Sequence, residues 1–530
     1  MTKNILFIMC DQLRWDYLSC NGHPWLQTPH IDRLAAEGVN FTRAYCQAPL
    51  CGPSRASFYT GRYMSSHGVF ANEDPLKPGE RTLGDCLRAH GLQTALVGKS
   101  DARFDLTRLV ELVGGDDDGK GDGDAHALAM RRAACGGFDP FERLEGLYPD
   151  PLLPDNLGYN AFLRANGYTA DNPWEEYANS AVDDNGNIVS GWRMRNACYP
   201  SRVAAAHSDT AFLTGRAMEF MRAAGDERWC LHLSYLRPHW PYLAPSPYHK
   251  LFAREQVVAA VRDEAERRDP HPLYAAFMAQ EYSRNFCRDE VRETVIPVYM
   301  GLIREVDDNL GRLFDFMRQR GLFDDTLIVF TADHGDYLGD HYLGEKDLFH
   351  EMSARIPLLI RDPSAAADGV RGGVNDDLVG AVDLLPTFIE AAGGAPPPAV
   401  EGRSLLPGLR GESYAPREFI VSEIDFGDRG PRAMLGVHPY DCRAYMARSK
   451  QWKYIFHETF RHQLYDLEND PNEFEDLGDS PAHQNICARM REHLFDWMRG
   501  RRTRAEVPLD KLLLRGPARD EEMGIVIGRW

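Results

Sequence analysis

The sequence predicts an α/β fold: a large, mixed, mostly parallel sheet lies between helices and is followed by a smaller C-terminal α+β domain. Along residues 1–400, short apolar runs alternate with amphipathic segments of helical length. The Gly/Pro-rich segment GGAPPPAVEG at 393–402 then interrupts this pattern. After it, three short apolar segments follow one another without helices between them, which is typical of an antiparallel sheet plus a closing helix.

The first strand and helix are predicted at the N-terminus. KNILFIM is an apolar run flanked by polar residues, and TPHIDRLAAEGV follows it with the features of a helix. Thr28 stands at the N-cap position, Pro29 at the first helical position and Gly38 where the helix would end. We therefore expect a strand that leads directly into a crossover helix.

The same alternation recurs further along the chain. Helix and strand are predicted in TLGDCLRAHG with QTALVG, in HSDTAFLTGRAMEFMRAAG with WCLHLSYL, and in YMGLIREVDDNLGRLFDFMRQRG with TLIVFTAD. Strands separated by helices of this length form parallel crossover units, and helices then cover both faces of the sheet. We assign these units to one large domain at residues 1–400.

The C-terminal part has a different pattern. FIVSEI, RAYMARS and WKYIFH predict successive antiparallel strands, and QNICARMREHLFDWMRG predicts an amphipathic helix, so we expect a small α+β domain at residues 401–500. Residues 501–530 have apolar patches with little helical periodicity and predict an arm that packs on another subunit or wraps its own domain. VGGDDDGKGDGDA at 113–125 predicts an exposed insertion.

Composition argues against several functional classes. The formal net charge of −19 leaves no excess of cations for binding nucleic acid. MTKNILFIMC lacks the apolar region and cleavage site of a signal peptide, and no apolar run could span a bilayer, so we expect a cytoplasmic protein without a membrane partner. The 11 cysteines include no CxxC pair, which is typical of reduced thiols. An anionic ligand would need a local cluster of cations or a metal ion.

Polar side chains follow four of the predicted parallel strands at their carboxyl ends. One such residue alone is usually a helix cap or a turn former. Ligands of open parallel sheets bind outside these strand ends, however, and four coincidences favour a site. The residues are Asp11 and Gln12 after ILFIMC, Lys99 after TALVG, His239 after LHLSYLRP, and Asp333 and His334 after LIVFTA.

The residues that follow the first and the last of these strands favour a divalent cation as the ligand. Asp11, Gln12, Asp333 and His334 offer two carboxylates, an amide oxygen and an imidazole. Calcium prefers oxygen ligands alone, whereas one imidazole favours manganese, iron or zinc, so we expect Mn²⁺ with Ca²⁺ as the alternative. In the other interpretation, His334 caps the turn in DHGD while Asp333 and Asp336 bind the metal without it.

Cys51 begins a predicted helix in CGPSRASFYTGR. Most intracellular cysteines are buried and inert. At a helix N-terminus, however, amide N–H groups and the helix dipole favour an anion or a polarised nucleophile. Arg55, one turn further on, adds a fixed positive charge. These residues predict a nucleophilic or electrophile-facing Cys51 beside a metal ion.

The same stretch resembles a known family signature. CGPSR followed by ASFYTGR is similar to the sulfatase pattern Cys-x-Pro-x-Arg with a downstream Thr-Gly-Arg. VGK, RPHWPY, FTADHGDYLGDH, GEKDLFHE and LYDLENDPNEFEDL extend the resemblance over most of the chain. The chain thus resembles the sulfatase family of the alkaline phosphatase superfamily, on the branch of formylglycine-dependent arylsulfatases and phosphonate monoester hydrolases. The resemblance implies an alkaline-phosphatase-like fold with residues 1–400 as the catalytic domain.

The resemblance also implies roles for the residues of the motifs. A formylglycine-generating enzyme would oxidise Cys51 to formylglycine, whose hydrate would supply the nucleophile. The implied metal ligands are residue 51 together with Asp11, Gln12, Asp333 and His334. The other implied roles are stabilisation of the nucleophile by Arg55, binding of the ester oxygens by Lys99 and Lys346, protonation of the leaving group by His239, and a substrate contact by Asn72 in FANEDP.

Three departures from the family pattern bear on substrate preference. Many sulfatases have an acidic residue at the position of Gln12, an Asn at that of His334 and a His at that of Asp101. The phosphonate monoester hydrolases share the first two departures but lack a lysine at the position of Lys99. The predicted site is therefore intermediate between the two branches. The segments at 101–135 and 171–202 are predicted to shape its pocket.

We expect a homo-oligomeric enzyme, a dimer or tetramer, that acts on small anionic esters. The leading prediction is hydrolysis of aryl or alkyl sulfate esters with promiscuous activity on phosphonate monoesters and phosphodiesters. The alternative reverses that order of preference. A non-catalytic anion-binding homologue is disfavoured because every implied role is occupied, and a two-metal phosphomutase because only one set of ligands is found.

Overall fold

The computed structural model describes residues 2–72, 74–77, 79–102, 131–146 and 157–502. The predicted insertion at 113–125 and all but the first two residues of the predicted arm at 501–530 lie outside the described residues. Among the described helices, none combines the length and apolar character that crossing a membrane requires.

Seventeen strands lie within the described ranges. Their bounds are β1 Asn4–Asp11, β2 Val39–Phe41, β3 Ala44–Tyr45, β4 Gln93–Gly98, β5 Asp139–Arg143, β6 Ser180–Val182, β7 Ile188–Ser190, β8 Trp229–Pro238, β9 Thr326–Ala332, β10 Arg355–Ile356, β11 Leu358–Arg361, β12 Gly373–Asn375, β13 Val379–Gly380, β14 Ile420–Asp425, β15 Arg443–Arg448, β16 Trp452–His457 and β17 Gln463–Asp466.

Fourteen α-helices lie within the same ranges. Their bounds are α1 Pro29–Glu37, α2 Cys51–Thr60, α3 Met64–His67, α4 Leu83–Ala89, α5 Gly158–Ala165, α6 Asp209–Ala224, α7 Pro272–Met278, α8 Glu281–Phe286, α9 Asp289–Gln319, α10 Glu351–Ala354, α11 Leu384–Ala391, α12 Leu406–Leu409, α13 Gly430–Leu435 and α14 Gln484–Arg499.

The largest sheet has eight strands in the order β12-β2-β11-β9-β1-β8-β4-β5. The five strands from β9 to β5 are all parallel to their neighbours. β11 is antiparallel to both β9 and β2, and β12 is parallel to β2. This mixed, mostly parallel sheet confirms the predicted fold class, and it brings the carboxyl ends of β1, β4, β8 and β9 to one edge.

Helices cover both faces of this sheet. On one face, the ring of Phe7 in β1 stacks on His232 of β8 at 4.3 Å and contacts Phe58 of α2 at 5.9 Å. Tyr235 of β8, three residues beyond His232, points to the opposite face, where its hydroxyl lies 2.7 Å from that of Thr214 in α6. The two sides of the buried sheet are therefore packed against different helices, α2 on one side and α6 on the other.

The start of α1 differs from the prediction. The side chain of Thr28 makes no cap hydrogen bond to the helix. Instead, the carboxylate of Asp307 in α9 accepts the backbone N–H groups of His30 and Ile31 at 3.1 and 2.8 Å. Gly38 follows the helix but has no left-handed backbone; a Cβ there would lie 2.5 Å from the carbonyl oxygen of Ile360 in β11. Close packing of a strand, rather than a helix cap, explains the glycine.

The C-terminal part forms an antiparallel sheet in the order β14-β15-β16-β17. β17 was not predicted, because its four residues are too short a run to show an alternating pattern. Leu464 of β17 packs in one buried cluster with Leu494 of α14 and with Tyr63 and Val382 from the first 400 residues. The smaller sheet therefore packs against residues of the first 400.

Gly98 ends β4 at the residue before Lys99, where its φ is +114°. A Cβ at this position would lie 1.8 Å from the carbonyl oxygen of Ser234 in β8. Gly98→Ala should push β4 from β8 and lower the free energy of unfolding by roughly 2–4 kcal/mol. Thermal unfolding followed by circular dichroism would measure the effect.

Gly91→Ala is the matched control for this substitution. Gly91 also has a positive φ of +79°, but no atom lies within 4 Å of its added Cβ. Gly91→Ala should therefore lower the free energy of unfolding only by the backbone strain, about 1 kcal/mol. Equal losses of stability in the two variants would contradict the packing argument.

Candidate active site

The structure brings the predicted site residues together at the carboxyl edge of the large sheet. They surround a cavity of about 200 Å³. Seven of the residues named from the sequence line it, namely Asp11, Cys51, Asn72, Lys99, Asp101, His239 and Lys346. Gln12, Arg55, Asp333 and His334 lie beneath the cavity floor, and none of them is exposed to solvent.

Cys51 is the first residue of α2, and its side chain is 1% exposed. Its Sγ atom lies 3.1 Å from Nε2 of His334, 3.5 Å from Nζ of Lys346 and 3.7 Å from Oδ1 of Asp11. Burial, with the charge of Asp11 next in importance, raises the pKa of the Cys51 thiol to about 12. An unmodified Cys51 is therefore a neutral thiol at neutral pH and a weak nucleophile.

Arg55 lies one turn along α2, and its guanidinium group holds the carboxylates of the site from below. Nε donates to Oδ2 of Asp333 at 2.8 Å, and one Nη lies 3.4 Å from Oδ2 of Asp11. The other Nη donates to the carbonyl oxygen of Lys99 and to Oγ of Ser234, both at 2.8 Å. These bonds aim Arg55 at the strand ends rather than into the cavity.

Four buried side chains point potential metal ligands at one another. Atoms of Asp11, Cys51, Asp333 and His334 all lie within 4.8 Å of one another. His334 donates from Nδ1 to the carbonyl oxygen of Gly335 at 2.8 Å, so the neutral ring presents an unprotonated Nε2 to Cys51. Burial lowers the pKa of His334 to about 4, which keeps the ring neutral as a metal ligand requires.

Gln12 presents its amide oxygen to the same group. Its backbone has a left-handed φ of +62°, and its N–H donates to Oδ1 of Asp333 at 3.0 Å. The side-chain Nε2 donates to Oδ2 of Asp336 at 2.6 Å, while Oε1 accepts from Nζ of Lys346 at 2.9 Å. A carboxylate on one side and an ammonium on the other determine which amide atom faces the site.

Two lysines reach the cavity from opposite sides. Nζ of Lys99 lies 2.5 Å from Oδ2 of Asp11. Nζ of Lys346 lies 3.5 Å from Sγ of Cys51 and 3.4 Å from Nε2 of His239. Burial works against the charge of each lysine, but nearby anionic groups outweigh it and raise the pKa of both above the usual value. Both side chains are therefore cations that can bind an anionic group.

The loop that carries Lys346 has an unusual backbone. Five non-glycine residues in it have positive φ values, namely Leu338, His341, Tyr342, Glu345 and Asp347. Such conformations are costly and persist only where surrounding contacts determine them. Here the ring of His341 stacks on His350 at 3.8 Å, and Asp347 pairs with Arg429 at 2.6 Å.

His239 follows β8 directly and lies between two cis peptide bonds, Arg237–Pro238 and Trp240–Pro241. It donates from Nδ1 to the carbonyl oxygen of Trp240 at 2.7 Å, which leaves Nε2 to accept from Lys346. Burial lowers the pKa of His239 well below the usual value. The neutral ring and Lys346 form a pair that can pass a proton to a group between them.

Asn72 has a structural contact that the sequence did not indicate. Its Oδ1 accepts the backbone N–H of Gly52 at 2.9 Å and so satisfies a donor in the first turn of α2. A Cβ on Gly52 would lie 2.9 Å from Cα of Asn72, which explains the glycine after Cys51. Asn72 therefore orients the residues around Cys51 as well as lining the cavity.

Other residues of the cavity wall were not predicted individually. Trp174 and Asn179 line it from the segment 171–202, which the sequence analysis expected to shape the pocket. Arg237 lines it from the end of β8 and pairs with Asp209 at 2.8 Å. RPHWPY contains Arg237 and could have revealed it. Arg429 comes from the C-terminal part, where no local pattern marks it.

Comparison with known proteins finds similarity over nearly the whole chain. The family model named Sulfatase matches residues 3–395, and the model of the C-terminal region of N-sulphoglucosamine sulphohydrolase matches residues 339–499. The multifunctional alkaline phosphatase superfamily protein PehA of Trinickia caryophylli is 31% identical over 93% of this chain and 95% of its own. An arylsulfatase of Clostridium perfringens is 26% identical over 94% of this chain and 95% of its own.

A similar solved structure is that of a phosphonate monoester hydrolase from Silicibacter pomeroyi. It superposes with a TM-score of 0.80 at 28% sequence identity. The match covers 94% of this chain and 96% of the solved one.

A buried carboxyl group behind the cavity makes stability depend on pH. Glu305 is 1% exposed, its Oε1 has no hydrogen-bond partner, and burial raises its pKa from 4.5 to about 8. Between these two values the folded protein keeps a proton that the unfolded chain loses, so this group's contribution to stability falls as pH rises.

Glu305→Gln should remove this loss, so we expect its free energy of unfolding to exceed that of the wild type by about 4 kcal/mol near pH 8 and to match it near pH 4. Thermal unfolding as a function of pH measures the difference. Glu390→Gln, at an exposed position, is the control and should show no such trend. A difference that is the same at both pH values would contradict the assignment to Glu305.

Proposed function

Because the chain belongs to the sulfatase family of the alkaline phosphatase superfamily, we propose that it hydrolyses aryl or alkyl sulfate monoesters with promiscuous activity on phosphonate monoesters and phosphodiesters. Its fold is alkaline-phosphatase-like, and the family makes it a hydrolase of sulfuric esters or phosphonate monoesters. The observation that carries the proposal is Cys51 of CGPSR, buried at the start of α2 within 3.7 Å of Asp11, His334 and Lys346.

Cys51 is proposed to act after oxidation to formylglycine by a formylglycine-generating enzyme. The raised pKa of its thiol makes the unmodified side chain a poor nucleophile. Hydrated formylglycine would supply one hydroxyl to attack the ester and a second whose deprotonation releases sulfate or phosphonate by C–O cleavage. Asn72 holds Gly52 and thereby fixes the backbone at this position.

Asp11, Gln12, Asp333 and His334 fit one divalent cation, together with residue 51. The donors are buried, the amide oxygen of Gln12 lies 2.9 Å from Nζ of Lys346, and Nε2 of His334 is unprotonated. One imidazole among oxygen ligands favours Mn²⁺, with Ca²⁺ as the alternative. When bound, such an ion supplies Lewis acidity to an ester oxygen and lowers the pKa of a hydroxyl beside it.

The protein's own cations would then hold the ester. Lys99 and Lys346 approach the cavity from two sides, so their ammonium groups can bind separate oxygens of one sulfate or phosphonate group. In a buried site such charges stabilise a developing negative charge more strongly than in water. Arg55 contributes by fixing Asp11 and Asp333, since it contacts both carboxylates.

His239 and Lys346 are proposed to protonate the leaving group. An anionic ester between them would raise the pKa of His239, because its negative charge favours the protonated ring. The bond from Nδ1 to Trp240 keeps the ring oriented with Nε2 toward the cavity. The proton would pass from Nε2 to the departing oxygen, and solvent would restore it, while Lys346 keeps its charge.

A second candidate is an enzyme that acts primarily on phosphonate monoesters or phosphodiesters and hydrolyses sulfate esters as a side activity. Gln12 and His334 favour it, because both match the phosphonate monoester hydrolases. Lys99 favours a sulfatase, since the phosphonate monoester hydrolases lack this lysine.

Kinetics on matched nitrophenyl esters separates the two candidates. The full chain, produced with a maturation system, is assayed on p-nitrophenyl sulfate, p-nitrophenyl phenylphosphonate and bis(p-nitrophenyl) phosphate. We expect the highest kcat/KM on the sulfate, loss of activity on chelation, and recovery with Mn²⁺. A sulfate value well below the other two would favour the second candidate.

The same preparation tests the nucleophile. Mass spectrometry of the peptide that contains residue 51 should show formylglycine, and Cys51→Ala should abolish turnover. Cys198→Ala, at an exposed cysteine, is the matched control and should leave turnover unchanged. Full activity in protein whose Cys51 is entirely thiol would overturn the proposed mechanism.

Substitution of His239 should affect esters according to their leaving groups. For His239→Asn we expect kcat/KM to fall about 100-fold on phenyl or alkyl sulfates, whose leaving groups need a proton. The loss on p-nitrophenyl sulfate should be much smaller, because nitrophenolate departs without one. Equal losses on good and poor leaving groups would argue that His239 only binds the ester.

A further inference from the structure

Each of the two lysines that face the cavity has a carboxylate beside it. Nζ of Lys99 lies 3.7 Å from Oδ2 of Asp101, and Nζ of Lys346 lies 3.9 Å from Oε2 of Glu345. Both carboxylates line the same cavity as Cys51. Their side chains are only 11% and 17% exposed, so water screens their charges weakly.

The backbone holds both acidic residues in place. Asp101 has a φ of +46° and Glu345 a φ of +61°, and both values lie in the left-handed region. The N–H of Asp101 donates to Oε2 of Glu145 at 2.9 Å, and the carbonyl oxygen of Glu345 accepts from Tyr337 at 2.8 Å. Residues in such conformations cluster where function depends on their placement.

Other charged side chains near the cavity also form ion pairs. Their ion pairs are Arg55 with Asp11 and Asp333, Arg237 with Asp209, Arg143 with Glu145, and Arg429 with Asp347. Lys99 is itself paired with Asp11 at 2.5 Å, so Asp101 adds a second negative charge beside this lysine. Asp101 and Glu345 therefore oppose the pull that the two lysines exert on an anion.

We propose that Asp101 and Glu345 make the site selective for esters whose transferred group carries one negative charge, and against dianionic phosphate monoesters. This inference rests on the proposed function, since it concerns which esters that same site accepts. A fixed carboxylate repels a dianion twice as strongly as a monoanion of the same shape. Sulfate monoesters, phosphonate monoesters and phosphodiesters carry one charge, whereas phosphate monoesters carry two above about pH 8.

The variants Asp101→Asn and Glu345→Gln test the proposal without changing side-chain shape. Asparagine also tolerates the left-handed backbone at position 101. We measure kcat/KM on p-nitrophenyl phosphate and p-nitrophenyl sulfate at about pH 8, where they are a dianion and a monoanion. Each variant should raise the phosphate-to-sulfate ratio roughly tenfold, and the double variant should raise it further. The ratio cancels any general damage to the site.

Glu255→Gln is the control for net charge, because it removes one negative charge from an exposed residue. It should leave the ratio unchanged. The proposal would be overturned if the phosphate-to-sulfate ratios of both cavity variants and of the double variant stay within about twofold of the wild-type ratio.

A binding measurement separates this inference from the proposed function. The full chain with Cys51 left as a thiol and Mn²⁺ present is titrated calorimetrically with phenyl sulfate and phenyl phosphate. The wild type should bind phenyl sulfate more tightly, and each variant should strengthen phenyl phosphate binding more than phenyl sulfate binding. If the variants show these changes in binding but the matured enzyme hydrolyses no ester, only the proposed function is rejected. Absence of these changes would reject the selectivity.

Discussion

The buried guanidinium group of Arg55 joins the parts of the molecule on which the site depends. From α2 it reaches Asp11 at the end of β1 and Asp333 after β9, and it also bonds to Lys99 just after β4 and to Ser234 within β8. This single side chain therefore links four parallel strands to one helix. Its charge is balanced by two buried carboxylates, and removing it would take a cation away from both, which is a costly change.

The loop of Lys346 shows how a strained segment is held at the same edge. Leu343, Leu348 and Phe349 of this loop pack in one buried cluster with Met446 and Ile455 of the C-terminal sheet. Lys453 of β16 donates to the carbonyl oxygen of Phe349 at 2.8 Å and pairs with Glu351 and Glu473 at 3.0 and 2.6 Å. The smaller sheet thus determines the position of a cation in a cavity formed mainly by the larger one.

Charge pairing explains how an acidic protein can bind an anionic ester. The chain carries a net charge of −19, yet the floor of the cavity holds Arg55, and its walls carry Lys99 and Lys346. Burial makes these local charges matter more than the distant surface charges, which water and salt screen. The same burial suppresses ionisation of the Cys51 thiol, so the site favours anions without itself containing a thiolate.

The sequence by itself determined the large parallel sheet, the smaller antiparallel one, and the set of side chains that meet at the strand ends. These follow from local patterns: apolar runs of strand length, helical periodicity, and polar residues placed where strands end. β17 escaped prediction because four residues carry too little pattern, and α1 is capped by Asp307 rather than by Thr28 because the acceptor comes from a distant helix.

Only the tertiary structure decided which of these side chains face the cavity and which support it. Arg55 lies beneath the floor of the cavity, and Asn72 accepts a hydrogen bond from Gly52. Arg429, from the C-terminal part, lines the cavity wall. Asp101 and Glu345 come within 4 Å of the two lysines only because left-handed backbone turns them into the cavity. The physical reason is that a side chain's direction depends on backbone conformation and on partners hundreds of residues away. Neither of these produces a periodic pattern in the sequence.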